Sequence, residues 1–165
     1  TAATSPALIH LLDNALSPAL LQALTDSPPG VPWYGFARID ERLADPDFCR
    51  ALKRSGCALL KLGLESGDQG VLDRMGKGID LGTVSRVLSS LRLAGIPVYC
   101  YLLFGTPGET AVEARRTLEF VVRHREIAVR NFSVQHIGYE VGSPALNLVR
   151  LPWLPIQQCS SRGFS

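Results

Sequence analysis

The amino-acid sequence predicts an α/β fold built on a parallel β-sheet. Strand-like and helix-like segments alternate five times along the chain, the loops between them are short, and polar or glycine-rich residues follow the strands. Alternating strands and helices with short connections favour parallel strands joined by right-handed crossovers. The periodicity leaves open whether the sheet is flat and doubly wound or curved into part of a barrel.

The first two strand–helix units are marked by their caps. An apolar strand is predicted over residues 8–12, and the polar residues Asp13 and Asn14 follow its carboxyl end, where a plain turn is one interpretation. Ser17 followed by a proline indicates a helix start, since serine is a favoured N-cap and proline fits the first turn. An aromatic strand over residues 32–39 is followed by the same signal at Asp45.

The next three units follow the same plan. A strand is predicted over residues 58–64, and after a short helix Asp80 caps a longer one with apolar residues at 3.6-residue spacing. Residues 97–104 form the most continuously apolar strand, as expected of a strand covered on both faces. Thr110 opens a helix with a capping box, and a last strand is predicted over residues 129–137.

The composition is that of one globular domain with a sizeable core. The 165 residues are 46% hydrophobic and 19% charged, with a mean hydropathy of +0.13. A net charge of +2 gives no evidence for a nucleic-acid or membrane partner. No apolar run reaches the roughly 18 residues of a membrane span, and no signal peptide is recognisable, so we expect a cytoplasmic protein.

The cysteine pattern argues against a metal or disulfide site in this chain. Cys49, Cys57, Cys100 and Cys159 are widely and irregularly spaced, without a CxxC or CxxxCxxC pattern. Cys49, Cys57 and Cys100 lie in apolar stretches and are expected to be small buried hydrophobic residues in a reducing compartment. The dinucleotide fingerprint GxGxxG and the nucleophile motif GxSxG do not occur, and the three histidines lack metal-ligand spacing.

The candidate site residues follow the carboxyl ends of four strands. Because these ends share one edge in a parallel α/β fold and ligands bind there, we expect one site assembled from four loops. The candidates are Asp13, Asn14, Arg38, Glu65, Ser66, Gly105, Thr106, Pro107, Gly108 and Glu109. Each also has a structural interpretation, such as a helix cap for Glu65 or a plain turn at residues 105–108. Lys77, between two glycines, is predicted to be a solvated loop charge.

Two motifs resemble those of the radical S-adenosylmethionine (radical SAM) superfamily. Residues 62–67 (LGLESG), followed by 75–78 (MGKG), are similar to the fourth-strand region of that family. Residues 102–110 (LLFGTPGET) resemble its fifth-strand motif, residues 10–14 (HLLDN) its second-strand segment, and residues 142–146 (GSPAL) loosely its sixth. The subgroup with the greatest resemblance contains methylthiotransferase-type and cobalamin-associated radical SAM proteins.

The resemblance implies a partial (β/α) TIM-type barrel that binds S-adenosylmethionine for 5′-deoxyadenosyl radical chemistry on an unknown substrate. It implies that Glu65 and Ser66 bind the ribose, and that the turn at 105–109 lies against the adenine. Asp13 with Asn14 would receive the amino group, and Arg38 the carboxylate or the substrate. It also implies a four-iron four-sulfur cluster, and an upstream cobalamin-binding domain is a further partner that it allows.

One departure from the family concerns the cluster. The motif CxxxCxxC belongs to the family's first strand–loop unit, which this chain does not contain. We therefore expect that unit to precede Thr1, residues 1–146 to be the C-terminal portion of the core, and 147–165 to be an irregular tail. The chain alone is then not expected to catalyse radical chemistry.

Two alternatives remain open from the sequence. The first is a non-catalytic α/β remnant with at most weak nucleoside binding. The second is a barrel enzyme of unrelated chemistry, which would need an acid–base pair for which Glu65 with Arg38 is a poor candidate.

Overall fold

The computed structural model describes residues 6–124 and the backbone of residues 131–136. In this part of the chain, five parallel strands form one sheet in chain order. The strands are β1 (Ile9–Leu16), β2 (Trp33–Ala37), β3 (Cys57–Glu65), β4 (Val98–Phe104) and β5 (Asn131–His136). The helices are α1 (Pro18–Asp26), α2 (Pro46–Arg54), α3 (Gln69–Arg74), α4 (Leu81–Leu93) and α5 (Ala111–Arg123).

The strand order decides between a flat sheet and part of a barrel. A doubly wound sheet reverses its strand order once, which brings helices onto both faces. Here every strand is added at the same edge, so right-handed crossovers place all connecting helices on one face. The sheet is therefore part of a (β/α) barrel, as the family resemblance implies.

Burial along the strands distinguishes the two faces of this sheet. The outer face, with Leu60, Leu62 and Leu64 of β3, is fully buried in the core, and helix α4 packs there with its own apolar stripe. Most side chains at the alternate positions of β2, β3 and β4, which form the inner face, are only partly buried, and Leu103 of β4 is the buried exception. Within the described residues, no helix is long and apolar enough to cross a membrane.

Strand β1 differs from the prediction. The strand predicted over residues 8–12 ends too early, because Asp13 and Asn14, predicted to follow the strand, lie inside β1. Leu11 pairs with Gly35 and Leu16 pairs with Ala37. The register therefore shifts between these two pairs, which are five residues apart in β1 but two residues apart in β2. This irregular stretch accommodates two polar residues by leaving their side chains exposed, and the apolar alternation that would have revealed a strand is lost there.

The predicted helix starts are confirmed, and one short element was missed. The side chains of Ser17, Asp45 and Asp80 each accept a hydrogen bond from a backbone N–H of the helix they cap. A 3-10 turn at Glu41–Ala44, capped by Asp40, was not predicted. The last predicted strand, 129–137, contains β5. The segment 142–146, the predicted tail 147–165 and Cys159 lie outside the described residues.

The capping box of α5 predicts an acid-sensitive contribution to stability. Hydrogen bonds from the Thr110 N–H and from Arg74 lower the pKa of Glu113 from 4.5 to about 2. A carboxylate with a lowered folded-state pKa stabilises the fold above the unfolded-state value, and this contribution is lost as the pH falls from about 4.5 to about 2. We expect Glu113→Gln to be less stable than the wild type at neutral pH, with a difference that shrinks across that interval. Urea unfolding at a series of pH values measures it, and a pH-independent difference would contradict the assignment.

Candidate functional site

A cleft lies at the carboxyl ends of β1, β2 and β3. Its volume is about 800 Å³, within the range of ~300–1,000 Å³ usual for small-molecule sites. The loops after β1 and β2, the end of β3 and the loop between α3 and α4 line it. Three of the predicted site residues, Asn14, Arg38 and Glu65, are among the lining residues. Asp13, their neighbour in β1, is exposed and does not line the cleft.

Glu65 has a strained backbone at the end of β3. Its φ is +67°, and it has the only positive φ of a non-glycine residue within the described part of the chain. An L-residue in this region costs about 1–2 kcal/mol, and strain of this kind is concentrated at binding sites. Gly63 leaves room for the side chain, since a Cβ at position 63 would lie 2.8 Å from Glu65 Oε1.

Lys77 is the site residue that sequence reasoning missed. The loop between α3 and α4 returns to the cleft and places Lys77 Nζ 3.0 Å from Glu65 Oε1. Gly76 and Gly78 on either side have φ values of +62° and +61°, which let the loop turn sharply. The prediction of a solvated loop charge is therefore incomplete: the side chain is 36% exposed and paired with a carboxylate. The two flanking glycines were the available signal.

Ser66 faces away from the cleft. It is fully buried, its hydroxyl shares a hydrogen bond of 2.9 Å with that of Thr117, and it accepts another from the Asp68 N–H. Asp68 caps α3 and pairs with Arg116 at 3.0 Å. The loop after Glu65 is thus held against α5 by Ser66 and Asp68. The ribose contact predicted for the Ser66 side chain would require its present partners to be replaced.

The turn at residues 105–109 lies at the same edge of the sheet but outside the cleft lining. It follows β4, which runs parallel and next to β3. Gly105 and Gly108 have φ values of +78° and +77°. Oε2 of the Glu109 carboxylate accepts hydrogen bonds from the Gly105 and Thr106 N–H groups. Burial raises the pKa of Glu109, and its Oε1 has no hydrogen-bond partner among the described residues.

Comparison with known proteins identifies the family. A family model for the radical SAM superfamily matches residues 36–121, just over half of the chain. The chain belongs to the radical SAM superfamily. It is 30% identical over 88 residues to an uncharacterized protein of Methanopyrus kandleri, and 30% identical over 84 residues to bacteriochlorophyllide d C-12(1)-methyltransferase of Chlorobaculum tepidum. These matches cover 53% and 50% of this chain but only 16% and 18% of the two relatives. This chain therefore spans about a sixth of their length.

Solved structures agree with the fold of this radical SAM chain. Coproporphyrinogen III oxidase from Escherichia coli matches with a TM-score of 0.64 and 18% identity, over 92% of this chain and 37% of that one. A radical SAM methyltransferase from Kitasatospora setae, with cobalamin and a 4Fe-4S cluster bound, matches with a TM-score of 0.62 and 17% identity over 79% and 27%. At these identities the likeness shows the partial barrel fold.

The described residues of this radical SAM chain do not fit the cluster. Three thiolates must converge to hold it, whereas Cys49, Cys57 and Cys100 are buried as free thiols, and burial raises the pKa of each to about 12. In residues 6–124, no three His, Cys, Asp or Glu side chains lie together as metal ligands would. The prediction that these three cysteines act as small hydrophobic residues is confirmed.

Proposed function

We propose that this chain forms the nucleoside- and amino-acid-binding part of an S-adenosylmethionine site in a radical SAM enzyme. The observation that carries the proposal is Glu65, held at a φ of +67° beside Lys77 in a cleft of about 800 Å³. A strained acidic residue at the carboxyl end of a barrel strand is typical of a ligand contact rather than of scaffold packing. Membership of the superfamily supports this ligand over other nucleosides.

The cleft offers partners for each polar group of the ligand. The Glu65 carboxylate can accept hydrogen bonds from the ribose hydroxyls, as carboxylates do from diols. Lys77 and Arg38 are cations lining the same cleft, and either can pair with the ligand carboxylate. Asn14, with Asp13 beside it in β1, is the proposed partner of the amino group.

The remaining predicted residues are proposed either to contact the adenine or to hold the contacting residues in position. The turn at 105–108 is proposed to lie against the adenine, since Gly105 and Gly108 carry no side chain that would hinder a flat ring. Glu109 holds this turn through the Gly105 and Thr106 N–H groups. Ser66, bonded to Thr117, is proposed to position Glu65 through the loop rather than to contact the ribose.

The proposed chemistry of the whole protein extends beyond the described residues. When bound, S-adenosylmethionine supplies the 5′-deoxyadenosyl radical chemistry of this superfamily. The residues of the cleft contribute binding and orientation, and the cluster ligands are not among those described. A cobalamin-binding domain in the same protein is part of the proposal, supported by the cobalamin bound in the Kitasatospora methyltransferase. A cytoplasmic location is supported by the three free thiols.

The role of Glu65 can be tested with S-adenosylhomocysteine and adenosine as ligands. We expect Glu65→Gln to weaken the binding of both ligands by about 1–3 kcal/mol. Both contain the ribose whose hydroxyls are proposed to donate hydrogen bonds to the Glu65 carboxylate. Isothermal titration calorimetry measures the affinities. Glu119→Gln on α5 is the matched control, since Glu119 is exposed and lies outside the cleft lining, and it is expected to bind both ligands like the wild type. Wild-type protein that binds neither ligand, or Glu65→Gln that binds as tightly, would refute the assignment.

A further inference from the structure

The inner face of the sheet is lined by aromatic residues around one lysine. Tyr34 and Phe36 of β2, Lys61 of β3, and Tyr99 and Tyr101 of β4 occupy its alternate positions, and all five are partly buried. Phe36, Lys61 and Tyr99 are neighbours across three strands, because Lys61 is in register with both of the others. Strands of a barrel core more often fill such positions with aliphatic residues that pack together.

Three rings of this face, those of Phe36, Tyr101 and Tyr99, contact one another in a row. The centroids of Phe36 and Tyr101 are 5.9 Å apart with the ring planes tilted by 50°, and those of Tyr99 and Tyr101 are 5.1 Å apart in an edge-to-face arrangement. On the other side of Lys61, His10 stacks on Tyr34 at 4.2 Å. Aromatic faces exposed in such a row favour a flat ligand, since offset stacking and edge contacts need planar partners.

Lys61 adds a positive charge to this aromatic surface. Its Nζ lies 5.2 Å from the centroid of the Tyr34 ring, a cation–π distance. The ion pairs within the described residues leave Lys61 without a carboxylate partner. An ammonium among half-buried rings is less screened than one in bulk water, so it attracts an anionic group more strongly.

The aromatic face continues into the proposed S-adenosylmethionine cleft. Phe36 and Gly63 belong to both, and Gly63 is in register with Tyr101. Glu65, at the next inner position of β3, ends the same row of residues. A molecule lying on the rings would therefore lie directly beside the ligand of the cleft.

We propose that the inner face binds the substrate of this enzyme, and that this substrate is a planar conjugated ring system bearing a carboxylate. Lys61 pairs with the carboxylate, while Phe36, Tyr99 and Tyr101 contact the rings. The inference rests on the proposed function for the identity of the neighbouring ligand. The aromatic row and Lys61, which has no ion-pair partner in residues 6–124, define the class of molecule independently of it.

The charge and the rings can be tested separately with fluorescent probes on the full 165-residue chain. We expect 1-pyrenecarboxylate to bind roughly tenfold more tightly than the neutral 1-pyrenemethanol, since only the former pairs with Lys61. Lys61→Met keeps the apolar stem and is expected to remove that preference. Lys53→Met, on the exposed end of α2, removes the same charge elsewhere and should leave both affinities unchanged. Cyclohexanecarboxylate, an anion without flat rings, should not displace the probe.

The outcomes separate this inference from the proposed function. Equal affinity for the two pyrene probes, an unchanged preference in Lys61→Met, or no binding to the wild type would overturn it; the last result would indicate that another part of the protein occupies the face. S-adenosylhomocysteine is measured on the same samples. If it fails to bind while the Lys61-dependent preference is present, the proposed function is wrong and the substrate class stands.

Discussion

Gly67→Ala is expected to destabilise the fold by about 1–3 kcal/mol, the usual cost of forcing an extra methyl group into a packed site. A Cβ at position 67 would lie 2.5 Å from the Cβ of Phe120 and 2.9 Å from the Cα of Thr117. The Cα is part of the α5 backbone and the Cβ is bonded directly to it, so neither atom can be moved away by rotating a side chain. The helix or the loop must move, which would break the hydrogen bond from the Gly67 N–H to Thr117 and displace neighbouring Glu65.

Gly70→Ala is the matched control for this substitution. Gly70 lies in α3, and a Cβ there would come no closer than 3.2 Å to the tip of the Asp68 side chain. The Asp68 oxygen must shift by a few tenths of an ångström, which offsets the preference of roughly 0.5–1 kcal/mol for alanine over glycine in a helix. Gly70→Ala is therefore expected to change the stability by much less than Gly67→Ala. Urea unfolding of both variants measures the effect. Equal stabilities would show that the approach of α5 to position 67 does not constrain the fold.

Glu65→Gly is expected to stabilise the fold while weakening ligand binding. Glycine adopts a positive φ without the cost of about 1–2 kcal/mol that glutamate incurs, and its larger unfolded-state entropy offsets only part of that gain. A net increase of roughly 0.5–1 kcal/mol in the free energy of unfolding follows. Loss of the ion pair with Lys77 subtracts from this gain, although solvent screening at the lysine, whose side chain is 36% exposed against 13% for Glu65, limits the loss. Affinity for S-adenosylhomocysteine should fall at least as far as in Glu65→Gln.

Thermal unfolding and calorimetry of the same preparation test the two halves of this prediction. A lower melting temperature would mean that the glutamate is not strained. Unchanged affinity would mean that Glu65 only shapes the turn after β3. The combination of higher stability and lower affinity is the expected sign of strain retained for binding.

Most of the secondary structure follows from signals within a few residues of each position. Asp45, Asp80 and Thr110 cap helices because their side chains bond N–H groups two or three residues ahead. The apolar strands follow equally from local composition. Strand β1 is the exception, since its stretch around Asp13 lies between the pairs Leu11–Gly35 and Leu16–Ala37 and has no local signal.

The site depends more on contacts between distant residues. Arg38, Asn14 and Glu65 line one cleft because parallel strands end at the same edge of the sheet. Ser66 faces away from the cleft because it is hydrogen-bonded to Thr117 on α5. That partner is 51 residues away in the sequence, so the motif itself does not reveal it. Lys77 reaches Glu65 because the loop after α3 returns to the cleft, and its flanking glycines indicate a sharp turn but not the residue that the loop approaches.

The order of residues thus specifies the helix starts, the strands and which residues end them, since these depend on local hydrogen bonding and burial. Packing of the elements against one another is needed to say which face of the sheet is open and which strand-end side chains enter the cleft. The barrel curvature belongs to the second group. It follows from every strand being added at one edge, and that order is a property of the assembled sheet.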